Sequence, residues 1–193
     1  MRLTAVLLAT LLFFAPAASA QEAVVRQILD SPQFKEATAF IQEDHDRFVK
    51  ELIQLTEIPA PPFKEEARAK VYLEMLRAVG LSDVEMDAEG NVMGLRKGTG
   101  SGNIVAVVAH LDTVFPEGTD VKVKREGNRL NAPGVGDNTR GAALMLAVIR
   151  AMNAAKFQTV DDILFVGNVG EEGEGDLRGV KYLMQKGKYK DRI

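Results

Sequence analysis

Two apolar runs in the chain predict β-strands, and the first of them covers residues 104–109. It contains only Ile, Val and Ala, and the polar residues His110 and Asp112 follow it. A short β-branched run without polar positions is typical of a strand that is buried on both faces of a parallel sheet. The pattern therefore predicts a central strand with His110 and Asp112 at its carboxyl edge, where open α/β folds bind ligands.

The second apolar run, residues 163–169, is followed by Glu171 and Glu172. If the two strands are parallel neighbours, their carboxyl ends meet at one edge of the sheet. A glycine-rich loop over residues 134–138 carries Asp137 and leads into a helix predicted over residues 139–155, which is apolar almost all round and expected to be buried. This arrangement gathers one imidazole and four carboxylates in a small space.

Amphipathic periodicity predicts helices around these strands. Apolar residues recur at three- and four-residue spacing after the helix-start signal Ser31-Pro32, which predicts a helix or a helix pair that ends near Thr56. Further helices are predicted over residues 64–79, ended by Gly80, and from residue 180 onward. Shorter strands are predicted as a pair over residues 84–87 and 92–96, and as a hairpin flanking the central strand over residues 121–125 and 129–130.

Strands that alternate with helices indicate an α/β fold with a mainly parallel or mixed central sheet and helices on both faces. The composition is that of a globular domain, with 193 residues, 46% hydrophobic and 26% charged positions and a net charge of −3. Because the sequence has no basic patch with interleaved aromatic residues, we expect no nucleic-acid partner.

The first twenty residues have the features of an export signal. Arg2 precedes an apolar stretch over residues 3–15, and Ala18-Ser19-Ala20 is a small-residue cleavage pattern. The apolar stretch is shorter than the ~20 residues that span a bilayer, so we expect no stable membrane anchor. The sequence thus predicts a periplasmic or secreted protein after cleavage near Ala20.

The polar cluster has the chemistry of a metal site. The sequence has no Cys and two His residues, of which His45 is expected to be solvated on the polar side of its helix. Gathered carboxylates repel one another, and a divalent cation removes the repulsion. Imidazole with carboxylates and without thiolate suits Zn²⁺, with Mn²⁺ or Co²⁺ as alternatives. A shared Asp could bridge two ions, and of two adjacent Glu one can bind metal while the other faces a water.

Three motifs occur in order: AHLDTV, APGVGDNTRG and NVGEEGEG. With them, residues 56–182 resemble the zinc-dependent aminoacylase and carboxypeptidase-type metallopeptidases, which include acetylornithine deacetylase, succinyl-diaminopimelate desuccinylase, glutamate carboxypeptidase and the aminotripeptidases. The resemblance implies a zinc exopeptidase-like fold, two zinc ions and hydrolysis of an amide or peptide bond. The substrate would be a small peptide or an N-acyl amino acid, and the full-length protein could form a homodimer.

The resemblance also implies a role for each residue of the polar cluster. His110 and Glu172 would bind one zinc ion, and Asp137 would bridge the two ions. Asp112 would hydrogen-bond His110 and fix its tautomer, as carboxylates behind metal ligands do. Glu171 would be the general base for the attacking water. The peptide bond that follows Asp137 would be cis.

Members of this family also have a further acidic ligand, a late His ligand and an inserted lid or dimerisation domain, which these 193 residues do not contain. We therefore expect residues 21–193 to be the amino-terminal part of a catalytic domain, truncated and inactive or nearly so alone. The alternatives are a non-catalytic remnant that keeps the fold and partial metal binding, and a single-metal hydrolase complete in itself. Arg140 would suit an anionic substrate, but a structural salt bridge is the preferred interpretation.

Overall fold

The computed structural model describes residues 17–100 and 102–193. Helix α1 (Ala17–Asp30) includes the last four residues of the predicted export signal. The rest of that signal, residues 1–16, lies outside the described residues, so export with cleavage near Ala20 stays a prediction. Within the described ranges, no helix is both long and apolar enough to cross a membrane.

The helices form close to where the sequence predicts them, with ends that differ by a few residues. The predicted helix pair breaks at Asp44, and its first member begins at Pro32, where the Ser31 hydroxyl accepts a hydrogen bond from the Phe34 amide at 3.2 Å. Gly80 has a φ of +83°, a left-handed value that glycine adopts without strain at the end of a helix. The remaining helices are α2 (Pro32–Glu43), α3 (His45–Thr56), α4 (Glu66–Ala78), α5 (Arg140–Ala154) and α6 (Arg178–Gln185).

A mixed four-stranded sheet forms the centre of the structure, in the order β1-β2-β6-β3. Strand β3 runs parallel to β6, and the other two neighbouring pairs are antiparallel. The four strands are β1 (Ser82–Met86), β2 (Val92–Arg96), β3 (Ile104–His110) and β6 (Asp162–Asn168). The predicted hairpin is shorter than expected and forms its own two-stranded sheet, with β4 (Lys124–Glu126) and β5 (Arg129–Asn131).

Helices cover both faces of the sheet, as the sequence predicts for this α/β fold. Alternating side chains of β6 point to opposite faces, so that Phe165 lies in one cluster and Leu164 and Val166 lie in the other. The first cluster includes buried side chains of α3, α4 and α5, among them Leu55, Tyr72 and Leu146. The second cluster is closed by Leu183 of α6 and by Tyr189.

The prediction that β3 is the central strand, buried on both faces, is wrong. Among the described strands β3 lies at the edge of the sheet, and its residues Val105, Val107 and Val108 are 52%, 38% and 41% exposed. Strand β6 lies between β2 and β3, and its side chains are almost all buried. Helix α5 is likewise not buried all round, because Leu144 is exposed beside this edge. An apolar run predicts a strand, but it does not specify the strand's neighbours.

Candidate metal centre

The parallel pairing of β3 and β6 brings the two polar ends of these strands together. His110 is the last residue of β3 and is aligned with Asn168, the last residue of β6. The His110 ring is buried, and the Glu171–Glu172 pair follows β6 after a short turn. The predicted meeting of the two carboxyl ends is therefore confirmed.

The loop before α5 carries Asp137 towards this edge. Gly134, with a φ of +77°, begins a short helical segment (Val135–Thr139), which Asp137 and Asn138 interrupt with non-helical backbone angles. The peptide bond between Asp137 and Asn138 is cis, as the family resemblance implied. The Oδ1 atom of Asp137 lies 2.8 Å from Nε2 of His110, so the loop reaches the end of β3.

Three side chains at this edge form a group that could hold a metal ion. One ligand atom each from His110, Asp137 and Glu172 lie within 4.8 Å of one another, and these are the three residues that the family resemblance implies as metal ligands. A nitrogen and two carboxylate oxygens are a donor set that suits zinc, whose catalytic sites have three protein ligands and an open fourth position. The Oε2 atom of Glu171 lies 3.9 Å from Nε2 of His110, at the border of this group.

Asp112 is fully buried behind the group and joins the end of β3 to the loop after β6. Its Oδ1 accepts a hydrogen bond from the Glu171 amide at 3.0 Å, and its Oδ2 accepts one from the Glu172 amide at 2.8 Å. The Nδ1 atom of His110 lies 3.1 Å from the backbone oxygen of Asp112 and 3.6 Å from Oδ1. The ring is thus supported from behind by the backbone carbonyl of Asp112, with the carboxylate of the same residue slightly farther away. A proton on Nδ1 that is donated to this carbonyl would leave Nε2 to bind a metal ion.

The carboxylates shift the pKa values of the cluster. Burial opposes protonation of His110, but the carboxylates of Asp112, Asp137 and Glu171 outweigh it and raise its pKa to about 9. Burial and the charge of Glu171 raise the pKa of Glu172. Burial also works against ionisation of Asp112, but its contact with His110 and the two backbone amides lower its pKa. The cluster therefore has an excess of negative charge that a cation would neutralise.

Arg68 is a buried support of the site that sequence reasoning missed. Its side chain is fully buried, and its two terminal nitrogens donate to the carbonyl oxygens of Leu111 and Ile58, each at 2.6 Å. Burial lowers its pKa to about 10, although the charge of Asp112 works in the opposite direction. Arg68 thereby fixes the backbone between His110 and Asp112. Its place in an amphipathic helix gives no signal of this role.

A second missed support is the buried carboxylate of Glu65, which holds the turn after β6. Its Oε1 accepts hydrogen bonds from the Gly170 amide at 3.2 Å and from Arg178 at 2.8 Å. Gly170 has a φ of +59°, and a Cβ atom there would lie 2.5 Å from the Arg178 side chain, so only glycine fits. These contacts join residues more than 100 positions apart, and local sequence patterns do not report them.

Arg140 does not have the structural role that the sequence analysis preferred for it. Within the part of the chain that the structure describes, its guanidinium makes no ion pair or hydrogen bond, so the predicted structural salt bridge is wrong. The carboxylate of the nearby Asp137 faces His110 instead. Arg140 lines a cavity beside the loop.

Comparison with known proteins agrees with this arrangement. The sequence model of peptidase family M20/M25/M40 matches residues 106–193, a segment that contains all five residues of the polar cluster. Residues 106–193 are therefore similar to this family. A protein of Pyrococcus abyssi (strain GE5 / Orsay), named as a LysW-lysine/LysW-ornithine hydrolase, is 33% identical over 128 residues. The match covers 66% of this chain and 34% of that relative.

Solved structures of M20-type enzymes share the fold. Aminopeptidase PepT from Bacillus cereus ATCC 10987 matches 70% of this chain with a TM-score of 0.60 and 25% identity. The dipeptidase Dug1p from Saccharomyces cerevisiae matches 81% with a TM-score of 0.66 and 18% identity, a likeness of fold alone. In both comparisons the match covers 39% of the solved chain. This chain thus spans about a third to two fifths of the length of these relatives.

Proposed function

We propose that this chain provides the metal-binding edge of a zinc-dependent hydrolase that cleaves an amide or peptide bond. The observation that carries the proposal is the convergence of His110, Asp137 and Glu172, with ligand atoms within 4.8 Å of one another. The match of residues 106–193 to the M20/M25/M40 peptidase family supports the hydrolase class. The substrate would be a small peptide, as for an exopeptidase, or an N-acyl amino acid, as for a deacylase.

Each residue has a distinct task in this proposal. His110 and Glu172 hold the cation, and Asp112 fixes the backbone amides from which both Glu side chains extend. When bound, Zn²⁺ lowers the pKa of a water ligand to ~7 and polarises the carbonyl of the substrate. Glu171, at the border of the group, takes the proton of the attacking water and delivers it to the departing amine.

Asp137 is proposed to be the ligand shared by two cations. Its Oδ1 faces His110, and 76% of its side chain is exposed, as a carboxylate that also binds a second ion would need. Two-metal hydrolases place their ions ~3.5–4 Å apart, a spacing that one bridging carboxylate can serve. Mn²⁺ and Co²⁺ suit the same donor set and are proposed as substitutes for zinc.

The adjacent residues Glu171 and Glu172 provide a matched pair for testing these roles. We expect Glu172→Gln to lower the Zn²⁺ affinity of the chain at least ~10-fold, because a direct ligand loses its charge. We expect Glu171→Gln to leave the affinity within about threefold and to lower any zinc-dependent hydrolysis by ~10²–10⁴-fold, as loss of a general base does. Isothermal titration with Zn²⁺ and an amide-hydrolysis assay measure the two effects. Equal losses of Zn²⁺ affinity in both variants would contradict the division of roles.

The 193-residue chain is expected to be a poor catalyst alone. Among the described residues, one group of three side chains could hold a metal ion. A second ion would have few ligands in these residues, so the transition state would lack part of the stabilisation that two ions provide. We expect its turnover on a peptide to be at least ~100-fold below that of the Bacillus cereus aminopeptidase assayed in parallel, a typical cost of lost electrostatic stabilisation. Comparable turnover would favour the single-metal hydrolase, whereas a chain that binds no zinc would favour the non-catalytic alternative.

A further inference from the structure

Two buried threonine hydroxyls meet beside the loop that carries Asp137. Thr56 is the last residue of α3, Thr139 is the last residue of the loop, and both are fully buried. Their Oγ1 atoms lie 2.8 Å apart, although 83 positions separate the two residues in the sequence. Oγ1 of Thr139 also lies 2.7 Å from the carbonyl oxygen of Gly134, where the loop begins. The Thr139 hydroxyl therefore joins the two ends of this loop and links them to α3.

The two hydroxyls have more short contacts than hydrogens. Because Oγ1 of Thr56 lies 2.7 Å from the Leu52 carbonyl oxygen, three oxygen–oxygen contacts share two hydroxyl hydrogens. The Leu52 carbonyl lies inside α3, where the backbone amide four residues on is its regular partner. The Gly134 carbonyl has only a long contact of 3.4 Å with the Thr139 amide besides the hydroxyl. The arrangement that leaves no carbonyl without a donor is one in which Thr56 donates to Thr139 and Thr139 donates to Gly134.

The same end of α3 is also attached to the strand end that carries His110. Nη2 of Arg68 donates to the Thr56 carbonyl oxygen at 3.4 Å, and Nη1 of Arg68 donates to the Leu111 carbonyl oxygen at 2.6 Å. Leu111 directly follows His110. Thr56 is therefore connected to the loop of Asp137 through its hydroxyl and to the end of β3 through its carbonyl.

The carboxylate of Asp137 depends on its loop for support. Its side chain is 76% exposed, and within residues 17–100 and 102–193 the one side chain that it hydrogen-bonds is His110. Packed neighbours therefore do not hold this carboxylate in place, and the backbone of the loop sets where it can reach. Metal ligands need a fixed geometry, which residues behind them usually provide.

We propose that Thr139 is a positioning residue which, with Thr56 as its hydrogen-bond partner, holds the carboxylate of Asp137 beside His110. This inference rests on the proposed hydrolase function and adds to its metal site two residues that do not touch the ion. Thr56 lies outside residues 106–193, the segment that matches the peptidase family model. The pair acts on the metal through the backbone of the loop.

The first test is isothermal titration of variants with Zn²⁺. Thr139→Val replaces the hydroxyl by a methyl group, and we expect the Zn²⁺ affinity to fall about 10-fold, the lower end of the range for residues behind metal ligands. Thr139→Ser keeps the hydroxyl and should stay within about threefold of the unmodified chain. Thr56→Val removes the donor to Thr139 but leaves the contact with Gly134, so its loss of affinity should lie between these two. Full affinity in Thr139→Val, or an equal loss in Thr139→Ser, would overturn the proposal.

Leu183→Ala is the control for a loss of stability alone. Leu183 is buried in the second core cluster, on the opposite face of the sheet from the cluster that contains α5 side chains. Its truncation should lower the urea midpoint of the metal-free chain. The Zn²⁺ affinity should stay within about twofold, because the native state still predominates. If Leu183→Ala lost as much affinity as Thr139→Val, the effect of the threonine would be one of stability, and the positioning role would be wrong.

Hydrogen exchange of the metal-free chain, followed by NMR, separates this inference from the hydrolase function. We expect Thr139→Val to speed exchange of the amides of residues 135–139 about 10-fold, the effect of losing one hydrogen bond, while Leu183→Ala leaves exchange in this loop unchanged relative to the other loops. Faster exchange confined to the loop supports the positioning role, and unchanged exchange overturns it. A chain that bound no Zn²⁺ would instead contradict the metal-dependent function, and the exchange result would still decide this inference.

Discussion

Replacing His110 by alanine is expected to lower the affinity of the chain for Zn²⁺ by more than ~100-fold. Mutation of a residue that only hydrogen-bonds to a metal ligand typically lowers metal affinity 10–100-fold, and His110 is itself a proposed ligand. His110 provides the nitrogen donor of the group, and its Nε2 is 2.8 Å from Asp137 and 3.9 Å from Glu171. Without the imidazole, carboxylate oxygens alone remain, and they favour harder cations than zinc. Isothermal titration of the metal-free chain with Zn²⁺ measures the loss.

The second histidine of the chain is the control for this variant. His45 is exposed, begins α3 and lies outside the group of candidate ligands. His45→Ala should therefore keep the Zn²⁺ affinity within about twofold, as expected for a side chain that is not a ligand. If the two alanine variants lost affinity to the same extent, the site would have to lie elsewhere. A circular-dichroism spectrum like that of the unmodified chain would exclude misfolding of His110→Ala as the cause.

Replacing Arg150 by alanine is expected to lower the free energy of unfolding by about 3 kcal/mol, because it leaves the largely covered carboxylate of Asp44 without a cation and that of Glu51 with Arg47 alone. Arg150 lies on α5 with 7% of its side chain exposed. Its Nε donates to both oxygens of Asp44 at 3.1 and 3.0 Å, and its Nη1 donates to both oxygens of Glu51 at 3.1 and 2.9 Å. This network fixes α5 against the junction of α2 and α3. Urea denaturation measures the change.

Two further variants separate this network from a general effect of losing an arginine. Arg77→Ala removes an exposed cation that pairs with Glu74 on α4, and such surface pairs contribute about 0–1 kcal/mol. Arg150→Lys keeps the charge but loses the fork of donors, so its loss of stability should be smaller than that of Arg150→Ala. If Arg77→Ala and Arg150→Ala destabilised the chain equally, the buried network would not be a principal contributor to stability.

The local elements could be predicted because their signals lie within a few residues. The Ser31 cap and the glycine after α4 each act on their own helix, and the helix pair, one of the two alternatives predicted up to Thr56, and the β1–β2 strand pair appear where expected. The meeting of the two polar strand ends followed from the sequence pattern on the condition that the strands are parallel neighbours, which β3 and β6 are. The placement of β3 at the edge did not, because composition does not specify which strands become neighbours.

Some residues of the candidate site could likewise be predicted from the sequence, and others could not. The polar cluster was identified from the types of residue that end two strands and a glycine-rich loop. The family resemblance implied His110, Asp137 and Glu172 as its metal ligands, and the structure brings these three together. Arg68 and Glu65 were missed because their partners are carbonyl and amide groups far along the chain, and backbone groups are the same for every residue type. The free guanidinium of Arg140 was also missed, because its nearest acid in sequence turns towards the imidazole.

For this protein, then, the sequence alone determined which residues form helices and strands and which side chains end at the carboxyl edge of the sheet. It could do so because periodicity, caps and polar strand ends are local properties of the chain. Only the tertiary structure decided the edge position of β3, the backbone carbonyl that supports His110, and the pairing of Thr56 with Thr139 beside the loop of Asp137. These features depend on the distances between segments that are remote in sequence, and packing alone sets those distances.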